Sequence, residues 1–294
     1  MASASAGSDP HLAAELPSFL TGVWIGYGDV PSFLPDAMVR GVLYEASKAE
    51  ALLEVPDIAR LHIRRDAITV SPLATDIVAS LGPYLRRTPL MVLMMLAGGF
   101  GLSGAALAGP DGAVVLIGRT VSGKSALAAA LMKRGLRLMA DDNAPLTLVD
   151  GLVQVCPVWP EMILWPDVVD ALFGEAPRWL GPVTGEIPRR SVVPERFCDQ
   201  VLPLKRAYVL CPQRLEEAVS QNTAEGFASI LQGVLIPYHG ELAAALVDPA
   251  ALLRLYGTIG GKRTQTLVFP QHTLAEMDEL AERIIKDCGW LSPI

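Results

Sequence analysis

Residues 118–125 read Gly118-Arg119-Thr120-Val121-Ser122-Gly123-Lys124-Ser125, the pattern GxxxxGK[ST]. A polyphosphate needs a ring of backbone N–H donors, and only glycine lets the main chain curl closely enough to supply one. A helix opening at the end of such a loop turns its positive dipole end on the anion. In that arrangement Lys124 reaches the β- and γ-phosphates of ATP and Ser125 offers a hydroxyl to Mg²⁺, while the stretch from Gly118 to Ala126 holds the nucleotide. The competing interpretation is an ordinary glycine-rich turn ahead of a helix.

Two adjacent carboxylates, Asp141-Asp142, follow 17 residues after Lys124. They close the apolar run Leu136–Ala140 and so stand at the C-terminal end of an expected strand, the edge at which open α/β sheets bind ligands. One carboxylate there can hold Mg²⁺ while the other accepts the proton of an attacking hydroxyl. Alone, the pair would read as a polar, Asx-capped turn. Lys124, Asp141 and Asp142 form the expected catalytic group. Arg189-Arg190, Lys205-Arg206 and Lys262-Arg263 are candidate contacts for phosphate or an acidic peptide, with Arg189-Arg190 first because it lies in an expected long loop. Trp159 and Trp165 bracket Glu161 and could line a groove, packing being the ordinary alternative. His239 falls in a Tyr-His-Gly turn with a structural role, and His62 and His272 gather no partners in the sequence.

These residues need a scaffold, and the central sequence supplies one. Pro110-Asp111-Gly112 is a turn signal, and Ala113–Ile117 a short buried strand. Lys124–Arg134 is rich in strong helix formers and ends on Gly135, a left-handed cap. With Leu136–Ala140 this makes strand–loop–helix–strand, the unit of an α/β fold with a mixed sheet and flanking helices. Upstream, the pattern predicts a helix over Ala37–Leu53, two strands in Leu61–Val70 around Arg65-Asp66, and a helix over Thr75–Tyr84. Downstream it predicts a hairpin over Thr147–Val155 turning at Asp150-Gly151, a helix over Asp167–Phe173, a loop over Ala176–Pro194 and a strand over Arg206–Leu210. Helices over Ala224–Leu235, Glu241–Tyr256 and Leu274–Asp287 and a strand over Thr264–Phe269 complete the expectation. Residues 1–84 form an N-terminal α+β segment packed on a core of residues 85–294.

The 294 residues are 51% hydrophobic and 19% charged, enough to bury a sizeable core. A net charge of −7, with no Lys/Arg run longer than two, argues against a nucleic-acid-binding face. The cysteines Cys156, Cys198, Cys211 and Cys288 form no CxxC pair and read as reduced thiols; Met1–Pro10 lacks the apolar core of a signal peptide, so a cytoplasmic protein is expected. Thr88–Pro110 is uncharged over 23 residues but contains five glycines, which fits a buried helix near Pro89–Ala97 and a buried strand near Gly101–Ala108 better than a membrane span.

The text Gly118–Pro145, GRTVSGKSALAAALMKRGLRLMADDNAP, resembles the C-terminal domain of the HPr kinase/phosphorylase superfamily: a P-loop, a helix, a basic-Arg-Gly end, then a strand closing on Ala-Asp-Asp. Weaker similarity extends over residues 85–290, including Trp159-Pro160-Glu161 and Leu164-Trp165-Pro166-Asp167, which look like relatives lacking phosphorylase activity. Some of those phosphorylate the C-terminal serine of lasso-peptide precursors. The resemblance implies the HPr kinase/PEP carboxykinase-like P-loop fold, ATP and Mg²⁺ as cofactors, Asp141 as catalytic acid/base and Asp142 as its partner at the metal. Glu161 falls near the family's metal-binding glutamate. Relatives carry a His where this chain has Ser103, which speaks for one-way kinase activity. The expected partners are the nucleotide and a peptide or protein with an acceptor serine. HPr kinases assemble as hexamers; no interface signature is visible in this sequence, and a homo-oligomer stays open. A small-molecule kinase of the same fold and a non-catalytic nucleotide sensor are the rival functions.

Overall fold

The computed structural model describes residues 8–14, 16–20, 22–73, 81–118, 122–173, 178–182, 190–212, 242, 245–259, 264–269 and 273–290, without the side chains of 83, 172, 178–182, 190, 211, 212, 256, 264–266, 268 and 269. It is a mixed α/β structure in two compact units, Met1–Gly101 with Tyr238–Leu252, and Leu102–Pro237 with Leu253–Ile294. The division falls after Gly101 rather than after residue 84, because the helices between those points bury their apolar residues in the first unit.

In the first unit, helix α1 (Pro10–Ala13) is capped by Asp9, which accepts from the main chain of His11 and Leu12. Strands β1 (Trp24–Tyr27), β2 (Val39–Arg40), β3 (Tyr44–Ala46), β4 (Glu50–Val55), β5 (Ala59–Arg64) and β6 (Ala67–Pro72) form a sheet in the order β1-β6-β5-β4-β3-β2, antiparallel apart from the β1–β6 pair. Alternation along β5 sends Ala59, Leu61 and Ile63 inward. Helix α2 (Gly82–Leu85) and the apolar α3 (Thr88–Leu96) add Leu85, Val92 and Leu93 to that core.

The helix expected over Ala37–Leu53 is absent; β2, β3 and the start of β4 occupy it. Ala, Glu and Leu there favour a helix intrinsically, but pairing with β5 wins. Ser47 turns the chain: its N–H donates to the Glu50 carbonyl (2.9 Å), and its hydroxyl accepts from the Ala49 N–H (3.2 Å). The Arg65-Asp66 turn lies between β5 and β6 as expected, whereas most of the helix expected over Thr75–Tyr84 lies outside the described residues.

The second unit is built on β7 (Phe100–Gly109), most of which belongs to it, and β8 (Gly112–Ile117), a hairpin paired Gly109 to Gly112. Then come α4 (Lys124–Lys133), β9 (Arg137–Ala140), β10 (Asn143–Val149), β11 (Leu152–Val155), β12 (Met162–Leu164), α5 (Pro166–Phe173), β13 (Arg178–Pro182), β14 (Arg190–Val193), β15 (Leu202–Pro212), α6 (Pro249–Ile259), which belongs to this unit from Leu253 on, β16 (Thr264–Phe269) and α7 (Leu274–Asp287). The main sheet runs β10-β11-β15-β8-β7-β9, with β16 on β15 and a further β10–β7 pairing; β8, β15 and β16 are parallel. The β10–β11 turn has Asp150 and Gly151 both at positive φ, the requirement of a tight two-residue hairpin.

Two expectations fail here. Ala176–Pro194 is not all loop, since β13 and β14 pair with each other and β14 with β12 in a separate three-stranded sheet. Pro182 closes β13 and Pro194 follows β14, positions where a missing N–H costs little of the ladder. Glu241–Tyr256 is not one helix: Asp248 accepts from the main chain of Ala250 and Ala251, and Pro249 opens α6. Ala224–Leu235 lies outside the described residues. Among the described residues no helix is long and apolar enough to cross a membrane. Cys156, Cys198 and Cys288 are buried free thiols.

Helix α4 packs against β8 and α7 through Leu127, Ala128, Leu131, Ala281 and Ile284. Arg134 at its C-terminal end donates to Asp278 (2.7 Å) and Glu282 (3.2 Å) of α7. Just beyond α7, Trp290 donates its indole N–H to Asp111 (2.7 Å) in the β7–β8 turn, and its ring occupies the space a side chain on Gly109 would need.

Candidate functional site

Strand β8 is buried along its whole length, which fixes where Gly118 emerges at its C-terminal end. A Cβ on Gly118 would lie 2.4 Å from Ser122 Oγ, so only glycine lets the loop fold back this closely. Gly123 caps α4 in the left-handed region at φ 83°, and the helix then begins with Lys124. Lys124 and Ser122 are both buried, at 7% and 2% exposure. Among the described residues Ser122 Oγ has no hydrogen-bond partner. Ala126 is half-buried against the core of this unit. Arg119, Thr120 and Val121 lie outside the described residues.

The Asp pair reaches the same place from the end of β9. Ser125 Oγ, in the first turn of α4, donates to Asp141 Oδ1 at 2.8 Å. The other oxygen, Oδ2, accepts from the Ile163 N–H of β12 at 3.2 Å. Burial pushes the Asp141 carboxyl up to about 6 against these two bonds, with the Asp142 charge adding to the rise. Asp142 is exposed and left-handed at φ 67°, and the Asn143 N–H closes the turn on the Asp141 carbonyl at 2.8 Å. The Asp142 carbonyl accepts from the Gly104 N–H of β7 at 3.0 Å, which ties the turn to the strand beside β8.

The raised Asp141 carboxyl has a signed consequence. Its pKa is higher folded than unfolded, so the apo-protein loses stability as pH rises from about 4 to about 6. Asp141→Asn lacks that loss. The stability difference between variant and parent should move in the variant's favour by about 2 kcal/mol across that window, measured by urea unfolding at pH 4.5 and 7.5. A difference independent of pH would overturn the prediction. Gly104 carries a second one, because a Cβ there would lie 2.7 Å from the Leu116 carbonyl oxygen. Gly104→Ala should destabilise by about 2 kcal/mol in the same assay, and an unchanged midpoint would contradict it.

Glu161 stands just ahead of β12 and accepts from the buried Ser191 hydroxyl of β14 at 2.5 Å. The small sheet therefore holds one carboxylate through Ser191 and touches another through the Ile163 N–H. Neither link is visible in sequence, since the partners are 30 and 22 residues apart. Among the described residues no three His, Cys, Asp or Glu side chains group as metal ligands. A Mg²⁺ ion needs fewer, because one or two protein groups and the substrate phosphates usually suffice. Ser125 and Asp142 supply oxygen donors of the kind such an ion takes, and the buried Lys124 fits a polyphosphate.

Lys205 pairs with Asp111 and Arg206 with Asp287 (3.4 Å), so both are engaged in ion pairs of their own. His62 pairs with Glu50 at 2.6 Å in the first unit. Trp165 is 41% exposed and Trp159 half-buried. Arg190 lies in β14, its side chain undescribed; Arg189, Lys262-Arg263, His239 and His272 lie outside the described residues.

No family model matches the chain. No curated protein matches it either. Among solved structures, the Hpr(Ser) kinase/phosphatase from Coxiella burnetii is similar at 16% identity and a TM-score of 0.34, over 64% of this chain and 94% of that one. The likeness assigns neither family nor activity.

Proposed function

We propose that the chain is an ATP- and Mg²⁺-dependent kinase that transfers the γ-phosphoryl group to a serine hydroxyl of a peptide or protein. The observation that carries this reading is the 2.8 Å bond from Ser125 to Asp141, which joins the phosphate-loop helix to a carboxylate of tuned acidity. A nucleotide-binding turn alone does not need such a group; phosphoryl transfer does.

In this mechanism the N–H groups of Gly118–Ala126 and the Lys124 ammonium grip the phosphates and set the transfer line. Ser125 and Asp142 would hold Mg²⁺, which would supply neutralisation of the charge on the phosphoryl oxygens. Asp141 takes the proton from the acceptor hydroxyl. Its bonds from Ser125 and Ile163 keep both carboxylate oxygens oriented, so the proton arrives at a group that does not have to turn.

The serine acceptor, and a lasso-peptide precursor as its bearer, rest on the resemblance of Gly118–Pro145 to the HPr kinase/phosphorylase superfamily and of the Trp159–Asp167 segment to its relatives lacking phosphorylase activity, some of which phosphorylate peptides. Incubation with γ-labelled ATP and candidate precursor peptides tests it. Label on a peptide serine supports the proposal. Label only on a metabolite would indicate a small-molecule kinase, and tight ATP binding without transfer to any acceptor a nucleotide sensor.

A further inference from the structure

The register of β7 and β8 brings one more side chain to this site. Gly104 pairs with Ile117, so Ser103 comes level with Gly118, the first residue of the phosphate loop. On its other flank, the Gly104 N–H holds the carbonyl of Asp142 at 3.0 Å. Ser103 thus lies on the strand between the loop and the carboxylate turn. Its side chain also faces the right way. Residues two apart share a face of a strand, and Ala105 and Leu107 are packed in the core formed with α4. Ser103 is the next residue on that face toward the start of β7, beyond the residues packed in that core, and it is half-buried rather than buried.

We propose that Ser103 is a phosphoryl-contacting residue whose hydroxyl donates to the transferring γ-phosphoryl group; this rests on the kinase reading above. A group in transfer spreads charge over three equatorial oxygens. The loop and Lys124 approach it from one side, and Asp141 must face the acceptor. A neutral donor from β7 serves a remaining oxygen. The contact is to the γ-phosphoryl alone, so it distinguishes ATP from ADP.

The test is calorimetric titration of the full chain with ATP and with ADP, in Mg²⁺ and without acceptor, for the parent, Ser103→Ala and Ser103→Thr. Ser103→Ala should weaken ATP by about tenfold while ADP stays within about twofold, and Ser103→Thr, which keeps the hydroxyl, should behave as the parent. Equal loss for ATP and ADP would reveal a merely structural role and overturn the inference. Unchanged ATP affinity in Ser103→Ala would overturn it as well, with the kinase reading intact. A parent that binds neither nucleotide would sink the kinase reading itself, and this inference with it.

Discussion

Asp141→Asn should lower phosphoryl transfer by about a thousandfold and leave ATP binding within about threefold. The asparagine oxygen can still accept from Ser125, so the first turn of α4 keeps its tie to the β9 end. What disappears is the proton acceptor, because an amide does not take a proton at these pH values. Only one oxygen remains for the two donors that meet the carboxylate, and the Ile163 N–H is the partner at the longer distance, 3.2 Å. Loss of that bond affects local stability more than nucleotide affinity, since it points to β12 and not into the phosphate loop. Single-turnover transfer of labelled phosphate separates the two effects. Full transfer by the variant would exclude Asp141 as the base; equal loss of binding and transfer would make it a structural residue.

Lys124→Ala should weaken ATP binding by about a hundredfold and remove transfer with it, since one ammonium serves two phosphates through charge-assisted bonds. Lys124→Arg should not rescue. The residue is only 7% exposed at the opening of α4, and a planar guanidinium fork needs more room and a different approach than a compact ammonium. Fluorescence titration with a labelled ATP analogue reads the affinity directly. A Lys124→Ala protein that bound ATP as tightly as the parent would end the phosphate-loop interpretation.

The GxxxxGK[ST] motif, the helix after it and the Asp pair at a strand end are legible in the sequence because each is a local signal: glycines at fixed spacing, a run of helix formers, an apolar strand ending on carboxylates. The hairpin at Asp150-Gly151 and the helix Leu274–Asp287 are legible for the same reason, the helix opening on a Thr273–Glu276 capping box. Where the sequence misleads, non-local pairing overrides local preference. Ala37–Leu53 has the composition of a helix and the partners of a strand. The site shows the same limit. The Ser125–Asp141 bond joins residues 16 apart, and the Ile163 N–H and the Ser191–Glu161 bond arise from the three-stranded sheet, two strands of which lie in the segment expected to be a loop.

The clamp between α4 and α7 also sets the order in which this site can come into being. Arg134 waits for Asp278, 144 residues further along, and β8 waits for β15 before it has both neighbours. At ribosomal speeds of about 5–20 residues per second, the phosphate loop is made many seconds before the elements that brace its helix. Until α7 arrives, the nascent chain carries the nucleotide motif without the support behind it. On the kinase reading proposed above, competence for ATP is gained when α7 docks rather than when the motif leaves the ribosome.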